Sequence, residues 1–132
     1  LLVGSIVTYG ALQWTWKITA SVTIKTLGVS AYSDQSCTIP LLTIDWGIME
    51  AGQTKNYSAY IKNESNVPVT MSMYVDNWNP TNAKDFMSLS WNYDNNPIPI
   101  DGVVPIDFSL SVNSSIVGIR NFSFEIWVVG SG

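Results

Sequence analysis

The alternation from Trp14 to Leu27 constrains the fold of this chain more than any other feature. Trp14, Trp16, Ile18, Ala20, Val22 and Ile24 point one way; Thr15, Lys17, Thr19, Ser21, Thr23 and Lys25 point the other. A period of two over that length is the mark of a half-buried β-strand. Upstream, Leu1–Leu12 (LLVGSIVTYGAL) carries no charge, and its better apolar face is odd-numbered: Leu1, Val3, Val7, Tyr9 and Ala11. One strand cannot turn both sets to one core unless a bulge resets it. Either a bulge sits near Gly10–Gln13, or Leu1–Leu12 packs against something else.

The same period recurs downstream. Strands are expected over Ile39–Trp46 (Leu42, Ile44 and Trp46 inward), Lys55–Lys62 (Tyr57, Ala59 and Ile61) and Val69–Trp78 (Val69, Met71, Met73 and Val75). Three more follow: Phe86–Tyr93 (Met87, Leu89, Trp91 and Tyr93), Val104–Val112 (Val104, Ile106, Phe108, Leu110 and Val112) and Ile119–Val129 (Phe122, Phe124, Ile126 and Val128). Pro105 lacks an N–H for a ladder, which favours an edge or a strand start. Gly28–Thr38, Asn63–Asn66, Asn77–Asp85, Asp94–Gly102 and Asn113–Gly118 read as polar connections. Seven strands without a helical period predict an all-β fold, an antiparallel β-sandwich of immunoglobulin-like type. The organisation is an N-terminal segment, 1–12, and one domain, 13–132.

At 132 residues the chain can bury a real core. Charged residues are only 12% of it, about half the usual share, against 46% hydrophobic. That balance suggests further surface covered by copies of itself, a membrane or glycan. A net charge of −4 makes nucleic acid a poor partner. There is no histidine, hence neither the commonest general base nor the commonest metal ligand. No Ser-His-Asp set, phosphate loop, metal motif or placed carboxylate pair is present, and no enzymatic activity is expected. Cys37 is the only cysteine, so it is either buried or paired between chains. The start at Leu1 is read as a mature N-terminus left by removal of a targeting segment. As a helix, Leu1–Trp16 would span about 24 Å, short of the ~30 Å hydrocarbon core, with Trp16 and Lys17 suited to an interface. A clipped membrane anchor therefore stands beside an ordinary first strand among the readings of this segment.

Six short runs carry a family resemblance: Ile44-Asp45-Trp46-Gly47, Ala51-Gly52, Tyr60-Ile61-Lys62-Asn63, Asn66-Val67-Pro68-Val69, Leu89-Ser90-Trp91 and Asn121-Phe122-Ser123-Phe124. Together they resemble the strand-and-turn pattern of secreted archaeal sandwich proteins. These are the subunits of archaeal bundling pili and thread filaments and, more distantly, bacterial biofilm-matrix fibre proteins of the camelysin type. The likeness spans nearly the whole domain. It implies polymerisation by donor-strand complementation: each sandwich lacks a strand, and the N-terminal strand of a neighbour fills the groove. The donor residues would be Leu1, Leu2, Val3, Ile6, Val7, Tyr9, Ala11 and Leu12. Twelve extended residues reach about 40 Å, roughly the height of a sandwich. Head-to-tail contact does not close on itself, so a filament results. The resemblance thus implies an exported, extracellular homopolymer at the cell surface, acting in adhesion, cell–cell contact or biofilm. Its partners would be copies of itself, neighbouring filaments and cell surfaces. The protease activity described for camelysin does not carry over to a chain without His-Glu-x-x-His. The alternative is a surface- or membrane-anchored domain that binds a protein or sugar partner as a monomer.

Four sequons, at Asn56, Asn63, Asn113 and Asn121, are a modest excess over chance. All four lie in turns or on the outward parity, and N-linked glycans are expected on at least one. Asp94-Asn95-Asn96, with Asp101, offers oxygen ligands for calcium but lacks the spacing of a calcium loop, so turn residues are the plainer reading. No other cofactor is implied. Of the six tryptophans, Trp14, Trp16, Trp46 and Trp91 have core parity, whereas Trp127 faces outward, as a subunit contact or a residue under glycan.

Overall fold

The computed structural model describes residues 16–132. The expectations for Leu1–Leu12, Trp14 and a bulge at Gly10–Gln13 lie outside the described residues. Among the described residues there are eight strands. They are β1 (Lys17–Leu27), β2 (Val29–Tyr32), β3 (Thr43–Glu50), β4 (Thr54–Asn63), β5 (Thr70–Asn79), β6 (Met87–Trp91), β7 (Val103–Val112) and β8 (Asn121–Ser131). A 3-10 turn, Thr81–Asp85, joins β5 to β6. Two four-stranded sheets run in the orders β3-β1-β8-β5 and β2-β4-β7-β6. The alternating apolar faces of β1, β4, β7 and β8 meet between them. Ile18, Val22, Ile61, Phe108, Leu110 and Ile126 are all fully buried there.

The expected sandwich is therefore present, with three corrections. One ladder is parallel, not antiparallel: β1 runs alongside β8 from Thr19↔Asn121 to Leu27↔Val129. A parallel pair needs a crossover between its strands, and here that crossover is the rest of the domain. Second, Val29–Tyr32 is a strand rather than part of a loop. Gly28 turns the corner into it with φ +73°, and a Cβ there would sit 2.8 Å from the Gly130 carbonyl oxygen. That corner moves the chain from one sheet to the other, and Val29 and Ala31 turn inward.

Third, the strand expected over Ile39–Trp46 runs over Thr43–Glu50, and Leu42 is 68% exposed. Its register on β1 passes from Thr19↔Ile48 to Ser21↔Asp45, so Trp46 and Gly47 share Ala20. This is a bulge with Gly47 at φ +66°, its N–H held by the Asp45 carboxylate at 2.8 Å. The extra residue resets the phase: Ile44 and Trp46 face inward before it and Met49 after it. Pro105 lies in a central strand, but at its start. There β7 pairs with β4 on one side, while β6 reaches only Phe108–Val112 on the other.

Candidate strand-acceptor cleft

A sandwich has two lateral sides, each bounded by one edge strand from either sheet. On the first side, β2 and β3 are well covered. Leu41 N–H donates to Ala31 O at 2.9 Å and Ser33 N–H to Ile39 O at 2.9 Å, laying 33–41 along β2. Asp34 shapes that loop: its carboxylate accepts from the Thr38 hydroxyl and from the N–H groups of Thr38 and Ile39. The Thr38 hydroxyl bond, first among these, holds the Asp34 carboxyl below its usual range. On β3, Lys55 Nζ donates to Trp46 O at 3.1 Å and to Ile48 O at 2.7 Å. The inward residues of this side, Val29, Ala31, Ile44, Trp46 and Met49, are all buried.

The second side, between β5 and β6, differs. The alternation correctly marks Met73, Val75, Leu89 and Trp91 as inward, yet all four are only half-buried. A cleft of about 630 Å³ opens here, lined by Val75, Trp78, Met87 and Leu89 with Lys84 and Asp85 at its rim. The 3-10 turn closes one end through buried Ala83. Near the other end Val69 and Ile98 exchange both backbone bonds, at 3.1 and 2.7 Å. The Tyr93 hydroxyl accepts Met71 N–H at 3.3 Å and donates to Asn96 O. Between these closures about six residues of β5, a run of ~20 Å, have no strand beside them among the described residues.

Backbone direction follows by alternation. The N–H groups of Val69 and Met71 point away from β8, so those of Met73 and Val75 do too. Phe86 O accepts Asn113 N–H from the end of β7, so Met87, Leu89 and Trp91 direct their backbone groups to the open side. Among the described residues the cleft thus presents two unpaired strand edges beside a row of half-covered apolar side chains. That combination is what an added strand satisfies.

Trp78 forms the wall of the cleft. The register of β5 on β8 passes from Asp76↔Glu125 to Asn79↔Ser123, so Asn77 and Trp78 together oppose Phe124. Asn77 takes φ +55°, and the bulge turns Trp78 inward, stacked on Phe124 at 4.2 Å between centroids. Its even position gave no hint of this. Asn77, a residue that tolerates positive φ, was the only local signal.

The outer face of the β3-β1-β8-β5 sheet carries Trp127, as its parity predicts. Its ring lies parallel to Tyr74 at 5.9 Å, with Lys25 Nζ 5.6 Å from its centre. Glu125 ties the group together, accepting from Asn77 Nδ2 at 2.8 Å and Trp127 Nε1 at 3.1 Å, with Lys25 at 3.5 Å. The Asn77 and Trp127 bonds, in that order, hold the Glu125 carboxyl below its usual range.

Of the four sequon asparagines, Asn56, Asn113 and Asn121 are exposed. Asn56 Oδ1 accepts Ser109 Oγ at 2.6 Å, and Asn113 Oδ1 accepts the Ser115 N–H and hydroxyl, both at 2.8 Å. Asn63 corrects the expectation. It is 0% exposed, and its Nδ2 donates to Val67 O, Ile98 O and Pro99 O at 2.9, 3.0 and 3.2 Å. The nitrogen a glycan would need is committed to the packing of two loops. Asp94 is a turn residue: its carboxylate accepts Asn96 N–H and Nδ2, each at 3.0 Å. No group of three or more acidic, cysteine or histidine side chains suited to a metal occurs among the described residues. Cys37 is half-buried with φ +57°, and burial pushes its thiol pKa up. No helix among the described residues is long and apolar enough to cross a membrane.

Fold and cleft together define a class: among the described residues, an all-β sandwich of two four-stranded sheets, closed on one lateral side and open on the other. No model of a known protein family matches the chain, and no curated protein matches it.

Proposed function

We propose that the chain is the structural subunit of an extracellular filament. In this reading each immunoglobulin-like sandwich receives Leu1–Leu12 of the next copy in its β5–β6 cleft. The observation that carries it is the half-burial of Met73, Val75, Leu89 and Trp91 beside strand edges unpaired among the described residues, against the complete burial on the opposite side. The donor suits the acceptor chemically. It is uncharged, and its odd-numbered apolar residues can alternate toward the cleft. About six residues fit between the Tyr93 closure and the 3-10 turn, a window that a centre at Val7 fills. Glycans on Asn56, Asn113 and Asn121 would cover surface outside the cleft, in keeping with the low share of charge.

A second reading, a surface-bound domain that binds a sugar or protein as a monomer, rests on the Tyr74–Trp127 pair. Tyr74 is 49% exposed, and a flat aromatic surface beside Glu125 and Lys25 resembles a binding platform. Negative-stain microscopy of the purified chain separates the two. Filament assembly predicts fibres of uniform width that persist in molar salt, because the donated segment has no charge to screen. Dispersed particles at every concentration would favour the monomer.

A further inference from the structure

We infer that Lys55 guards the edge of β3 and so confines strand addition to the β5–β6 cleft. The inference rests on the strand-addition reading only for the source of the incoming strand. An exposed edge invites pairing wherever apolar side chains flank it. The β3 edge has that character: Ile48 is 60% exposed on it and Leu42 68% exposed just before it. What sets it apart from β5 and β6 is an ammonium lying along it. Lys55 comes from the start of β4 in the other sheet and reaches across the side of the sandwich to the Trp46 and Ile48 carbonyls.

The bulge makes this possible. Gly47 at φ +66° takes up the extra residue, so that two carbonyls flanking it converge on one nitrogen. A Cβ at Gly47 would lie 3.8 Å from Nζ, an ordinary contact, so the glycine is there for its backbone angle and not to leave room. The Asp45 carboxylate fixes the turn through Gly47 N–H. An ammonium has three donors and no acceptor. An incoming strand would find these two carbonyls occupied, and its own N–H groups would face a positive charge. Among the described residues no comparable cation lies on the open runs of β5 and β6: the lysine lining their cleft is Lys84, which follows β5 in the 3-10 turn.

The test compares full-length Lys55→Met and Lys55→Arg chains. Each also carries Cys37→Ser and Thr43→Cys, so that pyrene labels β3 alone. Arginine keeps donors and charge, whereas methionine keeps only the bulk. The expected result is pyrene excimer emission, with side-by-side association in light scattering, for Lys55→Met. The parent and Lys55→Arg should show no excimer emission and no scattering beyond that of single filaments. Excimer emission equal in Lys55→Met and Lys55→Arg, whether present or absent, overturns the guard. Should Lys55→Met lose its far-UV strand spectrum, Lys55→Gln carries the test. It keeps two N–H donors without the charge, and excimer emission no greater than that of Lys55→Arg again overturns the proposal. The cleft reading fails separately: its failure appears as the absence of filaments from the parent chain, whatever β3 does.

Discussion

A chain lacking Leu1–Leu12 is expected to stay monomeric and folded at concentrations where the full chain forms fibres. The core explains why it should still fold. Ile18, Val22, Phe108, Leu110 and Ile126 are buried and form one core cluster with residues of both sheets. The cleft explains why it should not assemble. Met73, Val75, Trp78, Leu89 and Trp91 are half-covered. Completing the burial of five such side chains releases on the order of 5 kcal/mol from the acceptor side alone. Edge hydrogen bonds add about 1 kcal/mol net each. Without the donor none of this is available, and the truncated chain should also unfold at lower denaturant than the assembled one. Analytical ultracentrifugation and guanidinium titration of the two chains check both halves. Normal fibres from the truncated chain would remove the segment from the interface.

Asn63→Asp is expected to cost about 3–5 kcal/mol, from the loss of three donated bonds and the placing of a carboxylate against three carbonyls. Asn63 ends β4 at a point where 64–67 and 98–102 must be held together. Its side chain bonds three carbonyls of those loops and accepts Ser65 N–H at 2.7 Å, while its own N–H donates to Gly102 O at 2.9 Å. A domain of this size has about 5–15 kcal/mol in total. The variant should therefore melt roughly 10–20 °C lower. Asn63→Ala should fall between the two, since it leaves carbonyls unsatisfied but adds no charge. A melting temperature within a few degrees of the parent would mean that water replaces the amide easily.

The strands were legible where alternation was long and unbroken. β1, β7 and β8 appear nearly as their residues predict, because one face of each lies on the core. Asn63 was misread as a turn residue open to a glycan, although the pattern held the signal. Ala59 and Ile61 point inward, and the same parity carries Asn63 with them, so parity is a better guide to its fate than the sequon triplet. Three things were not legible, each for a physical reason. Alternation records which face a strand buries but not the direction of its neighbour, so the parallel β1–β8 pair left no trace. A bulge adds one residue and inverts the phase, as at Gly47 and at Asn77–Trp78, and a pattern read across it assigns the wrong face. Finally, alternation says nothing of how completely a face is covered. Met73 and Ile44 look alike in the sequence, but Ile44 lies beneath a closed side and Met73 beside an open one. The cleft is thus a property of the assembled sheets. Lys55 shares the inward parity of Tyr57, Ala59 and Ile61, but its reach to carbonyls of the other sheet left no trace in the pattern.

In the proposed filament a strand from a second copy lies in the β5–β6 cleft. Amide hydrogen exchange tests it most directly, comparing assembled full chain with the chain lacking Leu1–Leu12. The N–H groups of Met73, Val75, Leu89 and Trp91 should exchange far more slowly in the assembled chain, with the guarded β3 edge unchanged. Fibres in which those four amides exchange as fast as in the truncated chain would contradict the account and place the subunit contact elsewhere.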